Sequence, residues 1–134
     1  MNEKLMKEML SKKVWAVIGA TPNIDKIGYK IVKRLLAHEY EVYCINPNYE
    51  EIEGLKCYKD ISNLPVVPDC VDFVVPPKVT KKTIEQLDPK KIKYLWLQPG
   101  SYDQETAKFA EENGFNVVHD GACVMMAVDV MDEL

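Results

Sequence analysis

The sequence predicts an α/β fold, a three-layer sandwich on a five-stranded parallel sheet. Three observations carry that expectation. Short apolar runs alternate with amphipathic helical segments along the chain, the pattern of strands joined by crossover helices. The runs are continuous, as in Val14-Trp15-Ala16-Val17-Ile18, which suits strands covered on both faces. Most of the runs stop at Gly or at a residue followed by Pro, so the chain turns sharply after each strand. With 134 residues, 47% hydrophobic and 28% charged, the chain is read as one globular domain, residues 1–134, long enough to bury a core.

The elements follow in order. Over residues 3–11, Leu5, Met6, Met9 and Leu10 share one helical face. Val14–Ile18 is the first strand, closed by Gly19. A polar loop runs from Ala20 to Ile27. Then Gly28, Ile31, Val32, Leu35 and Leu36 recur at helical spacing, with Lys30, Lys33 and Arg34 outside. Val42–Ile45 is the second strand and stops at Asn46-Pro47. Residues 48–70 read as loop, with a short element near Ile61–Leu64. Val71–Val75 is the third strand, halted by Pro76-Pro77. Thr80 is the expected cap of the next helix, with Val79 and Ile84 as a staple. Tyr94–Leu97 is the fourth strand, ending at Gln98-Pro99-Gly100. Ser101 with Gln104 fits a capping box, and Gly114 fits the end of that helix. Phe115–Val118 is the fifth strand, and Val124–Met131 a docked terminal helix.

Charge and composition exclude several classes. Seventeen basic against 21 acidic residues give a net charge of −4, which argues against a general nucleic-acid binder. No apolar run approaches the length needed to span a bilayer. Met1–Lys13 is charged and amphipathic rather than an apolar leader. Cys44, Cys57, Cys70 and Cys123 fall at wide spacings without a CxxC, and His38 and His119 are the only histidines, which argues against zinc. The expectation is a cytoplasmic protein whose thiols are reduced and mostly buried.

In open α/β sheets, ligands bind outside the carboxyl ends of the strands. The loops there are Gly19 to Asn23, Asn46-Pro47-Asn48, Val75-Pro76-Pro77, Gln98-Pro99-Gly100 and Asp120 to Cys123. Gly19 lets backbone approach a ligand, and the next helix aims its positive end at the same space. A phosphate there would find backbone amides, Thr21 and Lys26. Tight packing alone is the other reading of Gly19 and Gly28. A G-x-G-x-x-G is absent, and Asn46-Pro47 stands where an NAD site places an acidic residue on the ribose. The residues therefore describe a Rossmann-like nucleotide site that is not built for NAD.

Taken together, Val17 to Asn23, Tyr40 to Tyr49, Gly54 to Tyr58, Trp96 to Gly100 and Cys123 resemble the small stand-alone CoA-binding domain proteins. More remotely, the chain is similar to the CoA-binding domain of the succinyl-CoA synthetase α subunit. The resemblance covers essentially the whole chain and implies a five-stranded parallel Rossmann sheet with coenzyme A across the strand ends. It places Gly19, Ala20 and Thr21 along the pyrophosphate and ribose, Lys26 on a phosphate, and Tyr29 at an aromatic position opening the first helix of the Rossmann unit. It places Asn46 and Pro47 beside the adenosine, Val75 and Pro76 flanking the adenine, and Gln98, Pro99 and Gly100 along the pantetheine arm.

Three positions depart from the family pattern. Gly28 replaces a Ser, Lys26 an Arg, and Pro76-Pro77 a more polar or Arg-bearing segment. Lys for Arg exchanges a bidentate fork for a point charge. The single arginine, Arg34, lies mid-helix on the outer face. Phosphate binding then rests on Lys26, Lys78 and backbone amides.

The implied function is binding of CoA or an acyl-CoA without catalysis, as a carrier, sensor or partner subunit. A small acyl-CoA-dependent enzyme and an NAD(P)-sensing domain are the alternatives. No Ser-His-Asp or Cys-His constellation stands out in the sequence. His119 reads as structural or solvated. Cys123 is the one candidate nucleophile, with a buried small residue as the alternative reading. The apolar terminal segments permit a homodimer or a protein partner. No nucleic-acid or membrane partner is expected.

Overall fold

The computed structural model describes residues 2–130, which form a Rossmann-like α/β fold with a seven-stranded, mostly parallel sheet. In chain order the elements are α1 (Glu3–Leu10), β1 (Val14–Ile18), α2 (Ile27–Ala37), β2 (Glu41–Ile45), β3 (Glu51–Ile52), β4 (Leu55–Tyr58), β5 (Cys70–Phe73), α3 (Pro77–Glu85), β6 (Tyr94–Leu97), α4 (Gln104–Glu112), β7 (Asn116–Val118) and α5 (Val124–Val130). A 3-10 turn, Ile61–Asn63, follows β4. The strand order is β3-β4-β2-β1-β5-β6-β7. Chain direction through the sheet therefore reverses at β1 and β5, and the crevice outside their carboxyl ends is the topological switch point.

All five expected strands are present, and two more extend the sheet. Leu55–Tyr58 pairs parallel to β2, and Glu51–Ile52 folds back antiparallel on it. The hairpin turns at Glu53 and Gly54, both with positive φ (52° and 79°), the backbone of a tight type I′ turn. The Glu-Gly pair is the signal for it. A strand of two residues is too short to show a period.

Side-chain alternation divides the core into two layers. Trp15, Val17, Cys44, Cys70 and Trp96 point to one face and pack with Met9, Ile31, Leu35 and Val124 of α1, α2 and α5. Ala16, Ile18, Val71, Phe73, Leu95 and Leu97 point to the other and meet Ile84, Ala107 and Ala110 of α3 and α4. Cys44, Cys57 and Cys70 are buried free thiols. Burial pushes the Cys44 thiol up to about 12 and raises Cys57 and Cys70 as well.

Several local expectations are corrected. β5 ends at Phe73 rather than Val75: Val74 still donates to the Ile18 carbonyl, but Pro76 has no N–H with which to continue the ladder. α3 begins at Pro77, three residues ahead of Thr80, because proline is pre-shaped for the first helical position. Thr80 is thus interior and buried, and its hydroxyl has no hydrogen-bond partner among the described residues. Asp103, not Ser101, caps α4: its carboxylate accepts from the Thr106 N–H at 2.8 Å, while the Ser101 hydroxyl donates to the Gln98 carbonyl. Gly114 does end α4, at φ 94°. Arg34 is not simply solvated: its guanidinium pairs with Asp129 on α5, which also meets His38 at 3.0 Å. The expected helix end at Met131 lies outside the described residues.

Candidate functional site

The site is built first by backbone. Gly19 has φ 98°, and a Cβ there would lie 2.2 Å from the Val74 carbonyl oxygen. A Cβ on Gly28 would lie 2.3 Å from the Gly19 carbonyl oxygen. Both positions exclude any larger side chain. The glycines therefore bring the β1 loop against the end of β5 and the start of α2 onto that loop, so packing requires both. It leaves ligand approach open, because the same contacts keep the loop flat against the sheet edge.

Asn46 locks the next loop. Its amide donates to the Ala20 carbonyl at 2.9 Å, its side-chain oxygen accepts from the Asn48 N–H at 2.9 Å, and its own N–H donates to the Tyr58 carbonyl. The loops after β1, β2 and β4 are thereby held together. Thr21 is nearly buried and its hydroxyl accepts from the Asn23 N–H. No side chain caps α2, so its first-turn N–H groups face the loop with their partial positive charge uncompensated by a cap.

Two cavities open on either side of this wall. The larger, about 550 Å³, has an apolar floor of Ile18, Ile45, Ile61, Val75 and Val79 and a polar rim that includes Asn46, Asn48, Lys59, Lys82 and Gln86. Its size lies within the range of small-molecule sites. The smaller, about 260 Å³, is lined by Thr21, Lys26, Ile27, Gly28, Tyr49 and Val74. Gly19, Asn46 and Asn48 border both.

The expected site residues separate into two groups. Gly19, Thr21, Lys26, Asn46, Pro47 and Val75 line these two cavities. Pro76 borders a separate groove between α3 and α4. Ala20 is fully buried, and only its carbonyl is engaged, by Asn46. The Tyr29 hydroxyl donates to Glu53 at 2.5 Å and so ties α2 to the β3–β4 hairpin. That bond to a carboxylate raises the Tyr29 phenol and lowers Glu53. Gln98 is buried: its amide donates to the Cys123 sulfur at 3.1 Å, and its oxygen accepts from the Val124 N–H at 2.9 Å. Pro99 and Gly100 are exposed on the following turn and line neither cavity. His119 pairs with Glu111 at 3.2 Å, whereas Cys123 meets the Gln98 amide.

Sequence reasoning did not find Lys59, Val79, Lys82 or Gln86. Val79 and Lys82 on α3 and Gln86 at its C-cap form one stripe at i, i+3 and i+7, and they share the cavity lining with Ile61 of the 3-10 turn. Within the chain that stripe reads as an ordinary helix surface.

The chain is 30% identical over 135 residues to acetate–CoA ligase [ADP-forming] I of Archaeoglobus fulgidus, an alignment covering 93% of this chain and 20% of the ligase. It is 31% identical over 107 residues to the α subunit of acetate–CoA ligase [ADP-forming] II of Pyrococcus furiosus, covering 78% of this chain and 23% of that subunit. The chain thus spans about a fifth of the length of these curated relatives. A solved structure of a hypothetical protein from Pyrococcus horikoshii superposes with a TM-score of 0.88 at 35% identity, over 96% of this chain and 91% of that one. The family described as CoA binding domain matches residues 13–129, and the chain belongs to that family.

Proposed function

We propose that this protein binds coenzyme A or an acyl-CoA across the carboxyl ends of β1, β2 and β5, and does so without catalysing a reaction. The observation that carries the reading is the pair of cavities meeting at the Gly19–Asn46 wall beside the uncapped start of α2. Thr21, Lys26 and the first amides of α2 hold the diphosphate in the smaller cavity. Asn46, Pro47 and Val75 flank the adenosine in the larger one. The pantetheine arm leaves past Pro76 toward Pro99 and Gly100. Gln98 supports that turn from below through Cys123 and Val124, and Tyr29 supports the hairpin through Glu53.

The polar side chains nearest to a nucleophile favour binding over turnover. Cys123 meets an amide, and His119 meets Glu111, so neither completes an acid–base pair with the other. Kinship to the α subunit of an acetate–CoA ligase supports one finer role, that of a CoA-binding partner to a catalytic protein.

The test is release of the ligand from natively purified protein and its identification by mass spectrometry, followed by calorimetric titration with CoA. CoA or an acyl-CoA is the expected species. NAD(P) would overturn the reading, and so would release of free CoA thiol from acyl-CoA at a catalytic rate. Replacing Lys26 with Ala removes one charge-assisted phosphate contact and is expected to weaken CoA binding by roughly ten- to hundred-fold.

A further inference from the structure

The larger cavity combines two features that a simple adenosine slot does not need together. Its α3 wall leaves Val79 43% exposed, with Ile61 and Val75 also partly open. An apolar surface of this kind fits the face of a flat ring. Above it stand Lys59, at the end of β4, and Lys82, on α3. They reach the rim from separate elements, and neither has an ion-pair partner among the described residues. The one acid on the rim, Asp60, is turned to its own chain and accepts from the Ser62 N–H at 2.9 Å. In a chain of net charge −4, two lysines beside an apolar slot form a local positive site.

A second positive site lies across the Gly19–Asn46 wall, where Lys26 and the start of α2 border the smaller cavity. Two cationic sites on either side of one adenosine-sized slot call for a nucleotide with two separate phosphate groups. ADP and NAD carry only the diphosphate. Coenzyme A carries a further monoester on the ribose 3′ oxygen.

The geometry points to Lys59 and Lys82 as the pair that receives the ribose 3′-phosphate and thereby selects coenzyme A over its 3′-dephosphorylated form. This assignment rests on the CoA reading and adds to it the residues that determine specificity. A compact dianion between two ammonium groups gains from both, whereas a free ribose hydroxyl gains little.

The experiment titrates the whole chain and its Lys59→Ala/Lys82→Ala double variant with CoA and with 3′-dephospho-CoA by calorimetry. The wild-type chain is expected to prefer CoA by about tenfold or more. The double variant is expected to bring the ratio of the two affinities close to one. Both lysines are exposed, and a thermal melt confirms that the variant is folded. Equal wild-type affinities for the two ligands would overturn the assignment, as would a preference that survives in the double variant. Binding of neither ligand by the wild-type chain would instead refute the CoA reading itself, and the assignment with it.

Discussion

The two ends of one sheet edge treat similar sequence signals in opposite ways. At β1 and β2 the strands end in Gly19 and Asn46-Pro47; at β6 the strand ends in Gln98-Pro99-Gly100. On the first side, close backbone approaches hold the loops, with one side chain added: Gly19 lies against Val74, Gly28 against Gly19, and the Asn46 side-chain amide donates to the Ala20 carbonyl. Side chains such as Lys26, Lys59 and Lys82 remain outside, around two cavities. On the second side, the side chains themselves close the structure. Gln98 bonds to Cys123 and Val124, Trp96 donates to the Ala122 carbonyl, and the Tyr102 hydroxyl donates to the His119 carbonyl. Gln98 is spent on such joining and borders neither cavity, whereas Asn46 ties its loop to Ala20 and still borders both.

The largest effect is expected where backbone contact is closest. Gly19→Ala combines a positive φ with a 2.2 Å approach to a carbonyl oxygen. It should destabilise the fold by about 3 kcal/mol, measured by urea unfolding. A variant as stable as the wild type would mean that the glycine serves only a ligand.

Gln98→Ala is the matching test on the closed side. It leaves the Val124 N–H buried without its acceptor and should cost about 2 kcal/mol. If stability held and only CoA affinity fell, Gln98 would be a ligand contact, and the contrast between the two sides would fail.

The strand between the two sides supplies a third, more gradual effect. Asp72 on β5 is fully buried, neither carboxylate oxygen has a hydrogen-bond partner among the described residues, and burial raises it well above the usual carboxylate range. The folded state therefore keeps the acid protonated at pH values where the unfolded chain, titrating near ~3.9, has released the proton. Stability from this group is fully present below the unfolded value and falls as pH rises toward the folded one. The slope is at most about 1.4 kcal/mol per pH unit. Denaturant unfolding across that window, with Asp72→Asn as the flat control, checks the sign. Stability that rises with pH in the wild type and falls in the control would reverse the reading.

Strand and helix placement was largely legible because continuous apolar runs and helical spacing are local patterns. Val14–Ile18, Tyr94–Leu97 and the 27–37 helix needed nothing else. The hairpin of β3 and β4 was missed because a pairing of two residues against four has no measurable period, and only Glu53-Gly54 hints at it. The caps at Pro76 and Asp103 were misplaced by four and two residues. Neighbouring Ser, Thr and Asp residues can all offer an oxygen, and the choice among them depends on how the helix docks. In the candidate site, Gly19, Thr21 and Asn46 were legible because they lie in the loops at strand ends, and Lys26 because it opens the helix after the first of them. Lys59 and Lys82 were not, since they lie on separate elements, 23 positions apart in sequence.

What the sequence by itself determined is the alternation of strand and helix, the edge of the sheet where a ligand would sit, and the family. The first two follow from short-range pattern and from turn chemistry at strand ends; the family follows from the resemblance of whole segments such as Val17 to Asn23 and Trp96 to Gly100. Only the tertiary structure decided which polar residues at that edge face open space and which are used within the fold. That depends on which helix covers each strand end: α5 seals Gln98, while α3 stands off from Asn46 and leaves a cavity between them.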